Sequence, residues 1–143
     1  MKDLIHSIAP KLEDSQKSTL AEKLILARQN PTFFMDIFLK SLLDYKLAIF
    51  FDNTISLEEL IYQLKLLVVQ NHVQINTLGD ELVEYDSTDN ILQAVGKYMK
   101  KAGYVLVDFD QDPKIYYLSA VPLATKSELE KKGKELELFL QFF

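Results

Sequence analysis

A segment of alternating aspartates, Asp108–Asp112 with the sequence DFDQD, has the residue types that bind a hard cation such as Ca²⁺. The rest of a calcium-binding loop does not follow. The sixth position requires a glycine for a sharp turn and is Pro113, and the twelfth position requires a bidentate glutamate and is Ser119. We therefore predict a polar hairpin loop in which the aspartates favour turn geometry, with no metal ion.

An alternative interpretation gives the same loop a chemical role. Asp52 follows the apolar run Leu47–Phe51, and a strand formed by this run could lie beside the hairpin. Paired carboxylates can share acid–base work or hold a divalent cation weakly. The alternative hypothesis is therefore a small enzyme or ligand-binding module with a carboxylate-rich site near the 108–112 hairpin. Its candidate residues are Asp52, Asp108, Asp110, Asp112 and Tyr116.

Three tyrosines of the predicted hairpin are further candidates for binding: Tyr104, Tyr116 and Tyr117. A tyrosine supplies a large, stiff apolar area with a polar tip, which suits a protein interface. Ordinary packing of strand residues is the alternative explanation for all three.

The residue patterns of other common catalytic sites are absent from the sequence. There is no cysteine, no serine lies in a Gly-x-Ser-x-Gly motif, and the glycines are isolated rather than grouped in a phosphate-binding loop. The two histidines, His6 and His72, have no histidine four residues away, so zinc-binding spacing is missing. We predict no catalytic residue, no metal site and no cofactor.

The charge and hydropathy of the chain exclude two classes of partner. The net charge is −5, and Arg28 is the single arginine among 16 basic residues, which disfavours binding to nucleic acid. The most apolar region contains no uninterrupted run longer than Leu47–Phe51, far short of the roughly 20 residues that span a bilayer. The N-terminus lacks the apolar core of a signal peptide, and together with the absence of cysteine this predicts a cytoplasmic protein.

The first secondary-structure elements predicted along the chain are helices. Apolar residues at helical spacing predict three of them, of which the first ends near Pro10 and the second begins near Ser15. The third follows Asn30, which can cap it, and Pro31, which suits its first turn. The run Leu47–Phe51 then predicts a strand that is buried on both faces.

Capping residues mark two further helices. Ser56 and Glu59 form a capping box that opens the first of them. Ser87 or Thr88 opens the second, which ends with two lysines and Gly103, the typical signs of a helix C-terminus.

The clearest strands are Tyr104–Phe109 and Ile115–Val121, which predict a hairpin. A weaker pattern at 73–85 predicts one or two short strands. We therefore expect residues 1–143 to form one α+β domain. Its small, partly antiparallel sheet has about four strands, including the 104–121 hairpin, and about six helices cover it.

The end of the chain predicts a C-terminal helix opened by a capping box of Thr125 and Glu128. Six of the last eight residues are apolar, whereas chain ends are usually polar and frayed. We expect this helix to be buried against its own domain or against a second copy in a homodimer. The predicted helix contains Leu129, Leu136, Phe139, Leu140 and Phe143.

The absence of a chemical signature favours a protein that acts by binding another protein. Small, acidic α+β domains without cysteine fit the physical profile of inhibitors, immunity-type proteins and adaptors. An acidic surface attracts a basic partner in solution. The leading hypothesis is therefore a non-catalytic, protein-binding domain with a basic protein partner.

Overall fold

The computed structural model describes the backbone of residues 1–70 and 87–143, and the side chains of these ranges except 68–70. The strands expected within 73–85 and the side chain of His72 lie outside the described residues. The helices are α1 (Lys2–Ile8), α2 (Asp14–Arg28), α3 (Pro31–Asp44), α4 (Leu57–Gln70), α5 (Thr88–Lys101) and α6 (Lys126–Glu135). The strands are β1 (Ile49–Asp52), β2 (Tyr104–Asp108), β3 (Ile115–Pro122) and β4 (Gln141–Phe142).

The described strands form one sheet in the order β1-β3-β2-β4, and every neighbouring pair is antiparallel. The predicted hairpin of β2 and β3 is confirmed, with Tyr104 opposite Pro122 and Asp108 opposite Leu118. The α+β class is confirmed as well. Within residues 1–70 and 87–143, no helix has the length and apolar character needed to cross a bilayer.

Helices cover both faces of the sheet, because strand residues alternate between two hydrophobic cores. Leu106 and Leu118 belong to the first core, with α4 and α5. Val107 and Val121 belong to the second core, with α1, α2, α3 and α6. The sheet is therefore the middle layer of three.

The prediction that β1 is buried on both faces is wrong. Its residues alternate between buried and exposed, and Phe50 is 47% exposed while Phe51 packs in the first core. The physical reason is the position of β1 at the edge of the sheet, where the helices of the second core do not cover Phe50.

Two of the predicted helix caps form as expected. The Ser56 hydroxyl accepts a hydrogen bond from the Glu59 amide, and the Ser87 hydroxyl accepts one from the Asn90 amide, each at 3.2 Å. Asn30 stands at the cap position of α3 but makes no side-chain capping bond.

The capping box predicted at Thr125 does not form. Its hydroxyl lies 2.9 Å from the carbonyl oxygens of Ser7 and of Pro122, and so can donate to either of them. The Thr125 side chain therefore connects the start of α6 to α1 and to the end of β3.

The prediction of a helix to the end of the chain is also wrong. The helix α6 ends at Glu135, and the amides of Glu137 and Leu138 donate to the carbonyls of Lys134 and Gly133. These two bonds form a Schellman stop, with Glu137 in the left-handed conformation (φ 57°).

The segment after α6 is extended because it fills both cores. Leu138 is buried in the second core and Phe143 in the first, and β4 pairs with β2 between them. If α6 continued to the end of this segment, Leu138 and Phe143 would lie on the same side of the sheet. Leu138 and Phe143 are therefore buried within their own chain, but not as parts of a helix, whereas Phe139 remains 37% exposed.

Candidate functional site

The aspartates of the hairpin loop bond to their own backbone in three successive turns. The Asp108 Oδ1 accepts from the Asp110 amide at 3.1 Å, and the Asp110 Oδ1 accepts from the Asp112 amide at 2.9 Å. The Asp112 Oδ1 accepts from the Lys114 amide at 2.9 Å. This is the turn role that the sequence predicts for aspartate. One oxygen of each carboxylate is thus used to shape the loop.

Asp108 differs from the other two because it is buried, with 2% exposure. Its Oδ1 also accepts from the Tyr117 amide at 3.0 Å, so the carboxylate takes the place of a backbone carbonyl where the β2–β3 ladder ends. Burial raises the pKa of Asp108 to about 6, and the charge of Asp110 acts in the same direction. The amide hydrogen bonds oppose this shift.

Asp52 does not join Asp108 in one site. The strand β1 lies beside the hairpin, as the alternative hypothesis requires, but it pairs with β3 and not with β2. Two strand spacings, roughly 10 Å, separate the backbones of β1 and β2. The Asp52 Oδ1 accepts from the Thr54 hydroxyl and amide, and these bonds lower its pKa. In the described ranges, no three acidic or histidine side chains are grouped as metal ligands.

The two tyrosines near the start of β3 point to opposite faces of the sheet. Tyr116 is buried in the first core and stacks on Phe51, with ring centroids 5.0 Å apart and planes at 18°. Tyr117 is half-buried on the other face, and its ring lies 5.0 Å from that of the exposed Phe50. Ordinary packing thus explains Tyr116, whereas Tyr117 belongs to an accessible aromatic pair.

Two acidic side chains lie near this pair. Burial raises the pKa of Tyr117, and the charges of Asp110 and Asp36 raise it further, which places both carboxylates within electrostatic range of its hydroxyl. We call Phe50, Tyr117, Asp36 and Asp110 the aromatic–acidic surface. Tyr117 and Asp110 were candidates predicted from the sequence, whereas Phe50 and Asp36 were not. The run Leu47–Phe51 is apolar at every position, so no local alternation in the sequence distinguishes Phe50 from its buried neighbours.

Tyr104, the remaining candidate, lies at the opposite end of the hairpin. It lines a cleft of about 330 Å³ between the α1–α2 connection, the end of α3 and the start of β2. None of Asp52, Asp108, Asp110 and Asp112 lines this cleft.

The structure thus defines an α+β protein with an acidic, aromatic surface at one end of its sheet and a cleft at the other. The chain belongs to the family described as Domain of unknown function (DUF6630), which matches residues 3–143. No match to the chain was found among curated proteins or among solved structures.

Proposed function

We propose that the chain is a non-catalytic, protein-binding domain, of the kind that includes inhibitors, immunity-type proteins and adaptors. It binds a basic protein through the aromatic–acidic surface. The observation that carries this proposal is the Phe50–Tyr117 pair, an accessible aromatic contact within electrostatic range of two carboxylates.

The chemistry of this surface suits a partner rich in lysine and arginine. Aromatic side chains contribute much of the binding energy at protein interfaces, and their faces attract cations. Asp36 and Asp110 provide charges for the same cations, and the net charge of −5 attracts a basic protein over a longer range.

The turns of the hairpin loop also support binding. The hydrogen bond from the Asp112 amide to the Asp110 carboxylate fixes the orientation of Asp110 before a partner arrives. A preorganised contact costs less conformational entropy on association than a mobile one. The same turns commit the aspartates to loop geometry, which disfavours the alternative of a carboxylate-rich enzyme site.

The test begins with capture of partners from the native host and continues with binding measurements on the purified pair. We expect Phe50→Ala to weaken the complex at least about tenfold, as truncation of a central aromatic contact does. Asp36→Asn and Asp110→Asn should slow association at low salt because they remove charge, and the asparagine introduced in the loop retains a turn-forming oxygen. Wild-type association should itself slow as salt rises, since salt screens charges beyond about 8–10 Å.

The helix α4 offers a matched control on the other side of the sheet. Tyr62 is 56% exposed there and Glu58 lies one helical turn away, so Tyr62→Ala and Glu58→Gln remove an equivalent aromatic and charge. They should leave binding unchanged. The proposal is wrong if the affinity for the partner changes with the α4 variants and not with Phe50→Ala. It is also wrong if the association rate does not depend on salt.

A further inference from the structure

The cleft beside Tyr104 is a second feature, independent of the aromatic–acidic surface. Tyr104 and Pro122 pair at one end of the hairpin, and five strand positions, roughly 16 Å, separate them from the hairpin loop. The cleft volume of about 330 Å³ falls within the range of small-molecule sites.

The floor of this cleft is apolar. Ile8 and Ala9 at the end of α1 are buried, and Leu12 and Leu47 are partly buried against the second core. Pro122 closes the side formed by β3. A ligand that lies on this floor needs an apolar body.

The rim of the cleft is polar, unlike its floor. Tyr45 and Tyr104 present hydroxyl groups, and the Lys11 ammonium donates to the Tyr104 hydroxyl at 3.4 Å. Lys46 is a second exposed lysine, and Glu13 is the one acidic residue that lines the cleft among the described side chains. The rim is therefore locally cationic in a protein whose net charge is −5.

The backbone conformation of Lys46 fixes its position at the rim. Lys46 lies two residues after the end of α3, in the left-handed region (φ 57°), where glycine is the relaxed choice. The amides of Lys46 and Leu47 donate to the carbonyls of Leu43 and Leu42, which fixes this turn. The backbone thus places Lys46 at the rim through the same type of helix stop that ends α6.

We propose that this cleft binds a small carboxylic acid with an apolar body, an aliphatic or aromatic carboxylate. The apolar part packs on Ile8, Leu12 and Leu47. The carboxylate accepts hydrogen bonds from the ammonium groups of Lys11 and Lys46 and from the Tyr104 hydroxyl.

The test uses 4-phenylbutyrate as the probe and its uncharged analogue 4-phenylbutan-1-ol as the matched ligand control. Each is titrated into the ¹⁵N-labelled full chain, and amide chemical shifts are followed. The acid should give saturable shifts in residues 9, 11, 12, 45–47 and 104, and the alcohol should bind about three- to tenfold more weakly.

Variants of exposed side chains separate charge from folding. Lys11→Gln and Lys46→Gln should each weaken binding of the acid about two- to fivefold, and Lys65→Gln on α4 should not. Equal binding of acid and alcohol, shifts centred outside the cleft, or no saturation at millimolar concentration would overturn the proposal. None of these results bears on the aromatic–acidic surface, which shares no residue with the cleft.

Discussion

Asp108 is a carboxyl group whose native position favours its neutral form. Burial raises its pKa from 3.8 to about 6, and the unfolded chain has no such burial. The native protein therefore binds this proton more tightly than the unfolded chain does. The contribution of Asp108 to the free energy of unfolding is fully present below about pH 4 and is lost as the pH rises through about 6.

Asp108→Asn tests this linkage, because asparagine keeps an oxygen for the Asp110 and Tyr117 amides but cannot ionise. The variant should match the wild type near pH 4 and exceed its free energy of unfolding above pH 7 by up to about 3 kcal/mol. Denaturant unfolding across this pH range measures the difference. A difference that does not change with pH would contradict the assigned cause.

At the scale of elements, the helices and strands that the sequence predicted correctly are those whose ends carry local signals. The helix α5 begins at a capping serine, Ser87, and stops before Gly103, which has a φ of 85°. The hairpin strands follow from β-branched and aromatic residues around an aspartate-rich turn. Local chemistry specifies these features, so one sequence suffices to find them.

The missed features depend on contacts between distant parts of the chain. Phe50 is exposed because of its place in the strand order, which involves residues about 70 positions away in β3. The aromatic–acidic surface likewise combines α3, β1 and the hairpin loop. The stop after α6 uses Glu137, where the glycine that usually signals a stop is missing.

Glu137→Gly should therefore stabilise the protein. Glycine adopts the left-handed conformation without the steric cost of a Cβ atom, so we expect a gain of about 0.5–1 kcal/mol in the free energy of unfolding. Lys134→Gly, in the last turn of α6, is the matched control and should cost about 1 kcal/mol. If both variants lower the free energy of unfolding by the same amount, the conformation of Glu137 carries no strain.

At the scale of the whole molecule, the last residues approach α5 closely. A Cβ atom at Gly96 would lie 2.7 Å from the carbonyl carbon of Phe143 and 2.8 Å from its oxygen. A Cβ atom at Gly133 would instead meet the end of the Leu140 side chain, which can turn away. Both glycines thus permit contact between a helix and the segment after α6.

Gly96→Ala should lower the free energy of unfolding by roughly 1–3 kcal/mol, because the backbone of Phe143 must shift. Alanine gains up to about 1 kcal/mol of helix propensity, so Gly133→Ala should be close to neutral or stabilising. Thermal or denaturant unfolding of the two variants compares them directly. If Gly96→Ala is the more stable of the two, the contact between α5 and Phe143 is looser than described.

The path of the segment after α6 has a consequence for cooperativity. Leu138 and Phe143 are five residues apart, yet they are buried on opposite sides of the sheet, and β4 passes along the edge of β2 between them. Loss of either core releases this segment and removes a buried side chain from the other core. The two hydrophobic layers are therefore coupled through one short stretch of chain, which favours a single unfolding transition over separate melting of the layers.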